Sequence, residues 1–182
     1  ISKFTKYINY EIVVVDNGSN DSNRTEYEKL VDTFEGQASY VYEKADFNFS
    51  HMCNTGAAKA KGNLLLFLND DIEIIGQDYE DTDWLSVLAG QAKQESTGAF
   101  GAKLLYPDSS YIQHVGVINY ESSCFAHLYA KAVDDRNIKA HRNYADYDCL
   151  CVTGACFMLE KTKFDKAGGF DEAFEVTHND VD

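Results

Sequence analysis

Two short clusters of oxygen-bearing side chains stand out along the chain, Asp16-Asn17-Gly18-Ser19 and Asn69-Asp70-Asp71. Each follows a compact apolar run, residues 11–15 before the first and Leu64–Leu68 before the second, and each run reads as a buried strand. Adjacent carboxylates at a strand end repel one another unless a cation or hydrogen-bond donors compensate them. With oxygen ligands and no His/Cys cluster beside them, the cation that fits is a hard one, Mg²⁺ or Mn²⁺. Mg²⁺ commonly takes one or two carboxylates and completes its shell with substrate phosphates. Either cluster by itself reads as an ordinary turn, because Asp and Asn favour turns. Two of them at the carboxyl edge of one sheet read as a site, since open α/β sheets bind ligands there. Asp70 and Asp71, pinned to the end of a rigid buried element, are the better-placed metal ligands.

The elements that must hold these clusters alternate in the first half of the chain. Strand signals at residues 11–15, 40–42 and Leu64–Leu68 are separated by helical spacing at residues 25–34 and 49–61. Gly62 is the expected stop of the second helix. A third helix is expected over residues 83–94, opened by an Asp cap, with Trp84 and Leu88 facing the core. This order predicts an α/β fold with an open, mainly parallel sheet and helices on both faces. The second half is less regular. Strands are expected over 98–106, 112–119 and 149–159, an irregular loop over 126–145, and a short helix at Lys161–Ala167 before Gly168-Gly169.

Composition narrows the partners. The chain has 182 residues and a formal net charge of −14, which repels phosphate backbones and argues against nucleic acid. A diphosphate remains compatible with so acidic a protein when a divalent cation lies between. The apolar runs fall short of the roughly 20 residues that a spanning helix needs. Five cysteines, Cys53, Cys124, Cys149, Cys151 and Cys156, include no CxxC pair, so neither a disulfide framework nor a zinc site is indicated. Cys149 and Cys151 are expected to alternate along a strand as small hydrophobes. A reducing cytoplasmic setting fits this usage.

The motifs taken in order carry a resemblance. Val13-Val14-Val15-Asp16-Asn17-Gly18-Ser19, Asn48-Phe49-Ser50 with Asn54 and Gly56, and Phe67-Leu68-Asn69-Asp70-Asp71 resemble family 2 glycosyltransferases of the GT-A fold. So do Gln113-His114-Val115-Gly116-Val117, Thr153-Gly154-Ala155, Gly168-Gly169-Phe170-Asp171-Glu172 and Asn179-Asp180-Val181-Asp182. The nearest subgroup is similar to bacterial, rhamnosyltransferase-like enzymes that build surface polysaccharides. The match runs over nearly the whole chain.

The resemblance implies a nucleotide-sugar donor, a glycan or lipid-linked acceptor, a Mn²⁺ or Mg²⁺ ion, and inversion at the anomeric carbon. On these residues it implies that Asp16 and Ser19 hold the base and that Asn48 and Asn54 shape the nucleotide pocket. Asn69-Asp70-Asp71 is similar to the family's DXD motif, with Asp71 on the metal and Asn69 or Asp70 toward the ribose. Asn69 replaces the usual leading Asp. Asp180 falls at the catalytic base, with Asn179 where a Glu is common, while Gly154, Gly169 and Asp182 fall on the acceptor side. His127 is similar in position to a His of the subgroup, which implies a further metal or phosphate contact, whereas a lone His by itself reads as structural or exposed. From charge alone Asp180 and Asp182 read as a solvated acidic tract. From glycine preference alone Gly168-Gly169 reads as a helix stop.

The chain reads as one catalytic domain, residues 1–182, excerpted from a longer protein. The tract before Tyr10 reads as helix and loop, whereas the GT-A fold begins with a central strand. The full-length protein is expected in the cytoplasm, with room for peripheral association at the inner face of the membrane. Two other readings compete. A sugar-phosphate nucleotidyltransferase would need a Gly-rich loop bearing Arg and Lys near the first strand, which is not seen. A non-catalytic nucleotide-sugar-binding module would keep the pocket without turnover.

Overall fold

The computed structural model describes residues 1–75, 83–120, 124–135 and 138–176. Residues 1–10 hold a 3-10 turn at Ser2–Phe4 and no strand, as the sequence suggests. Then β1 (Ile12–Asp16), α1 (Asp21–Asp32), β2 (Ala38–Tyr42), α2 (Phe49–Lys59) and β3 (Leu64–Leu68) follow in the expected alternation. They are succeeded by α3 (Trp84–Ala92) and five short strands, β4 (Phe100–Gly101), β5 (Leu104–Leu105), β6 (Ile112–His114), β7 (Val117–Tyr120) and β8 (Cys124–His127). A 3-10 segment at Ile138–Tyr144, β9 (Cys156–Glu160) and α4 (Lys161–Ala167) complete the order.

Capping sets the helix starts. Asn20 accepts from the Asn23 N–H at 3.0 Å, which draws α1 four residues earlier than its apolar spacing suggests. Asp83 accepts from the Ser86 N–H at 2.8 Å and starts α3 as expected. Gly62 is not the stop of α2. The helix ends at Lys59, and the next free N–H groups, of Lys61 and Gly62, both donate to the Glu11 carboxylate at 2.5 and 3.0 Å. Gly168 does end α4, in the left-handed conformation at φ +93° that glycine adopts without steric cost.

The α/β class stands, but the sheet is not mainly parallel among the described strands. β1 and β2 pair in parallel, whereas β9 lies between β3 and β4 and is antiparallel to both. A strand arriving from the irregular second half can enter from the opposite end, and only long-range pairing decides that. The second-half strands are also shorter than expected. The 98–106 run breaks at Ala102-Lys103, and the 112–119 run breaks at Gly116, which sits at φ +120°. Cys149 and Cys151 precede β9 rather than alternate within it, with Cys151 in an isolated bridge to Val117. The 126–145 loop contains the end of β8 and the 3-10 segment.

The period of two along β3 explains the layers. Leu64 and Leu66 face a cluster with Met158, Phe100 and the α3 residues Leu85, Leu88, Ala89 and Ala92. Leu65 and Phe67 face the opposite cluster, with Ala57 of α2, Phe164 of α4 and Leu159. Phe67 stacks on Phe157 at 5.0 Å and meets Phe170 edge-on at 5.4 Å. Each large apolar side chain buried this way contributes about 1.5–3 kcal/mol. The β3 strand is therefore clamped on both faces, and its carboxyl end is a fixed point. No described helix is long and apolar enough to cross a membrane.

Candidate functional site

The Asp16 end of β1 is built around a buried carboxylate. Asp16 is 8% exposed and accepts from the Ser19 N–H at 2.9 Å through Oδ1 and from the Tyr40 hydroxyl through Oδ2. Burial pushes its pKa up, but hydrogen bonds from Tyr40, Ser19 and Gly18 together outweigh it and hold the carboxyl below the usual range. Tyr40 answers in the opposite sense. Burial and the neighbouring Asp16 charge push its phenol up to about 12. Arg24 stacks over the adjacent Tyr42 ring at 3.8 Å. Asp16 and Ser19 thus stand together as expected, in a turn that the carboxylate itself closes. Tyr40 was not singled out by its type, because its contact depends on the β1–β2 register that sets Val14 opposite it.

Asn48 and Asn54 are brought to one place, but their amides are committed to protein partners. Asn48 caps α2 through the His51 N–H at 2.9 Å and donates to the Glu172 carbonyl at 2.9 Å. Asn54 donates to the Phe170 carbonyl and to the Glu172 carboxylate, and accepts from the Phe170 N–H, all at 2.9 Å. With three of its bonds filled, this amide acts as a clasp on the segment after α4. His51 adds to it, with Nδ1 3.0 Å from Glu172 and Nε2 3.1 Å from Glu43. The Glu172 and Glu43 carboxylates raise the His51 pKa, and Asn54 and His51 lower that of Glu172. The buried Ser50 donates to the Phe174 carbonyl at 2.8 Å, and the Phe49 N–H donates to that of Glu175 at 2.8 Å. The α2 N-terminal half therefore holds the chain as far as Glu175. Asp180 and Asp182 lie outside the described residues.

At the other strand end, β3 runs into Asn69, whose N–H donates to the Ala155 carbonyl at 2.9 Å. The next residues, Asp70 and Asp71, turn outward and are exposed. Their setting suits a hard cation held by one or two carboxylates, with water and phosphate as the remaining ligands. Among the described residues no group of three His, Cys, Asp or Glu side chains could close around a metal by itself. The two acidic clusters do not share the edge of one sheet as expected: among the described strands Asp16 ends β1 in one sheet, while Asp70-Asp71 lie in the turn beyond β3 of another, and α2 packs against both. A Cβ on Gly56 would lie 3.3 Å from Val15, while Ala57 packs in one cluster with Leu65.

Beside Asn69 lies a cavity of about 270 Å³, lined among others by Ala155, Thr153, Tyr106, His114 and His127. His127 is exposed and its Nδ1 is 2.9 Å from Nδ1 of His114, which is 2% exposed. Gly154 is buried in the same Thr153-Gly154-Ala155 turn. Gly169 stands elsewhere, against Asn54, where a Cβ would meet Oδ1 at 2.6 Å. His114 carried no assigned role in the sequence. His114 stands opposite Leu104 and His127 opposite Val117, so their meeting depends on the β5–β6 and β7–β8 pairings.

Comparison with known proteins agrees with these elements. Residues 2–168 match the family described as Glycosyl transferase family 2. The chain is 33% identical over 181 residues to the O-antigen biosynthesis protein RfbC of Myxococcus xanthus, covering 98% of this chain and 13% of that protein. It is 30% identical over 184 residues to the uncharacterized protein y4gI of Sinorhizobium fredii, covering 98% of this chain and 19% of that protein. The chain thus spans a fifth or less of the curated relatives it matches.

Proposed function

This chain belongs to glycosyl transferase family 2, and on that premise we propose that it moves a sugar from a nucleoside-diphosphate-sugar onto a hydroxyl of a glycan or lipid-linked acceptor. The Myxococcus relative is named for O-antigen biosynthesis, which favours a surface polysaccharide as the product class.

The observation that carries the reading is the end of β3. Its backbone is fixed by the Asn69 N–H to Ala155, a residue that lines a cavity, and Asp70-Asp71 follow Asn69 directly and are exposed. Asp71, with Asp70, would hold a Mn²⁺ or Mg²⁺ ion there. Such an ion, when bound, stabilises the negative charge that develops on the departing diphosphate. Asp16 and Ser19 would hold the base, and Asn69 or Asp70 would face the ribose. Asn48 and Asn54 shape this side indirectly, by tying the segment after α4 to α2.

The chemistry asked of the chain is an in-line displacement. The acceptor hydroxyl attacks the anomeric carbon, the bond from that carbon to the phosphate oxygen breaks, and the configuration inverts. Asp180 takes the hydroxyl proton, a task that a carboxylate within hydrogen-bond reach performs. Asp182, Gly154 and Gly169 are assigned to the acceptor side. The α2 clasp on residues 170–175 supports this assignment, since it anchors the chain shortly before Asp180.

The deciding experiment is a thermal-shift panel of UDP-, GDP- and dTDP-sugars with and without Mn²⁺ on the full-length protein. A metal-dependent rise in melting temperature with one nucleotide class is expected, because a ligand bound only by the folded state stabilises it. A rise that is indifferent to Mn²⁺ and to Asp71→Ala would count against metal assistance and for a binding module.

A further inference from the structure

The two histidines beside Asn69 fix each other's protons. The Thr153 backbone N–H donates to His114 Nε2 at 3.2 Å. A backbone N–H cannot exchange roles, so Nε2 carries a lone pair and the neutral ring holds its proton on Nδ1. That proton points at His127 Nδ1, 2.9 Å away, which must accept it. The exclusion passes to the second ring: with Nδ1 accepting, neutral His127 carries its proton on Nε2. Neither nitrogen of His127 then offers a lone pair to a metal while the pair stands.

The geometry points to His127 as a hydrogen-bond donor to a sugar hydroxyl in the cavity beside Asn69, oriented by His114 and the Thr153 N–H, and not as a metal ligand. This rests on the glycosyl-transfer reading above. The cavity measures about 270 Å³, just under the roughly 300–1,000 Å³ of drug-sized ligand sites, so it admits one sugar ring and not a whole nucleotide-sugar. Its lining is two-sided in the way a pyranose is. Leu104, Tyr106 and Ala155 offer apolar surface for ring C–H groups, and Gln113, Thr153 and His127 offer polar atoms for hydroxyls. Among the described residues the lining includes no carboxylate. Its position is set by the bond from Asn69 to Ala155, which makes one wall of the cavity continuous with the strand end bearing Asp70-Asp71.

The ring could come from the donor or from the acceptor, and two measurements on the full-length protein separate the sources. In the donor arm, calorimetry compares a nucleotide-sugar with its nucleoside diphosphate, both with Mn²⁺. In the acceptor arm, saturation-transfer NMR follows the methyl glycosides of glucose, galactose and rhamnose. His127→Ala is expected to weaken one of these sugar-dependent signals by roughly 2- to 12-fold, the value of one neutral hydrogen bond. Nucleoside diphosphate binding should not change, and His127→Gln, which keeps a donor at that position, should recover the signal. The melting temperature of each variant checks that it folds, and the Gln variant keeps the comparison open if the Ala variant does not. If His127→Ala instead weakens the bare nucleoside diphosphate only in the presence of Mn²⁺, His127 is a metal ligand and the inference is overturned. It is overturned equally if both sugar arms are unmoved. Wild-type protein that binds no nucleotide would sink the transferase reading, and the glycoside arm would still judge the pocket.

Discussion

Asn54 and Gly169 lie 115 positions apart in sequence and touch so closely that a Cβ on Gly169 would stand 2.6 Å from Asn54 Oδ1. That oxygen is fixed by the Phe170 N–H, and Gly169 itself has φ +79°. Gly169→Ala therefore meets both a strained backbone and a polar atom that cannot move without breaking its bond. It should destabilise the domain by about 1–3 kcal/mol. In Gly169→Ala with Asn54→Ala the clash is gone, so the double variant should lose less than the sum of the two singles. Denaturant unfolding of the four proteins measures the coupling; strict additivity would show that the contact does not matter.

Asp16 predicts an acid-side dependence. Its pKa is lowered in the folded state, so in acid the unfolded chain binds more protons at this group than the folded one. Its contribution to stability is present above the unfolded value of about 3.9 and is lost as pH falls through the lower folded value. Tyr40→Phe removes a hydrogen bond to the ionised carboxylate and should make that dependence shallower. Tyr40 itself, at about 12, should ionise later than an ordinary tyrosine in an alkaline absorbance titration.

The opposite sign applies to His51. Its folded pKa is raised by Glu172 and Glu43, so its contribution is full below the unfolded value of about 6.5 and disappears as pH rises through the folded one. The pairs are half-exposed, so added salt should weaken the effect. A histidine NMR titration of Glu172→Gln should show the His51 midpoint moving down. An unchanged midpoint would mean that this pair does not form in solution.

For catalysis, Asp71→Ala should remove the Mn²⁺ dependence of nucleotide binding. Asp180→Asn in the full-length protein should lower turnover by roughly 10²–10⁴-fold, the usual contribution of a general base, and leave donor binding in place. Steady-state kinetics beside calorimetry separates the two; retained turnover in the Asp180 variant would assign the base elsewhere.

Local sequence carried the parts that depend on neighbours along the chain. Five consecutive apolar residues before Asn69 made β3 legible as a strand buried on both faces, and the acidic pair after it followed from position alone. The caps at Asp83 and Gly168 were equally readable, because a cap bonds within three or four residues of itself. The motif order pointed to the family that residues 2–168 match. What the chain could not announce was pairing across distance. β9 enters antiparallel between β3 and β4, Asn54 reaches Phe170, and His114 meets His127 across two separate strand pairs. Each of these contacts is chosen by how whole elements pack, so a residue's type and local spacing hold no trace of its partner. His127, expected as a metal or phosphate contact, stands against His114, whose Nε2 accepts from the Thr153 N–H, and neither contact could be read from the local sequence.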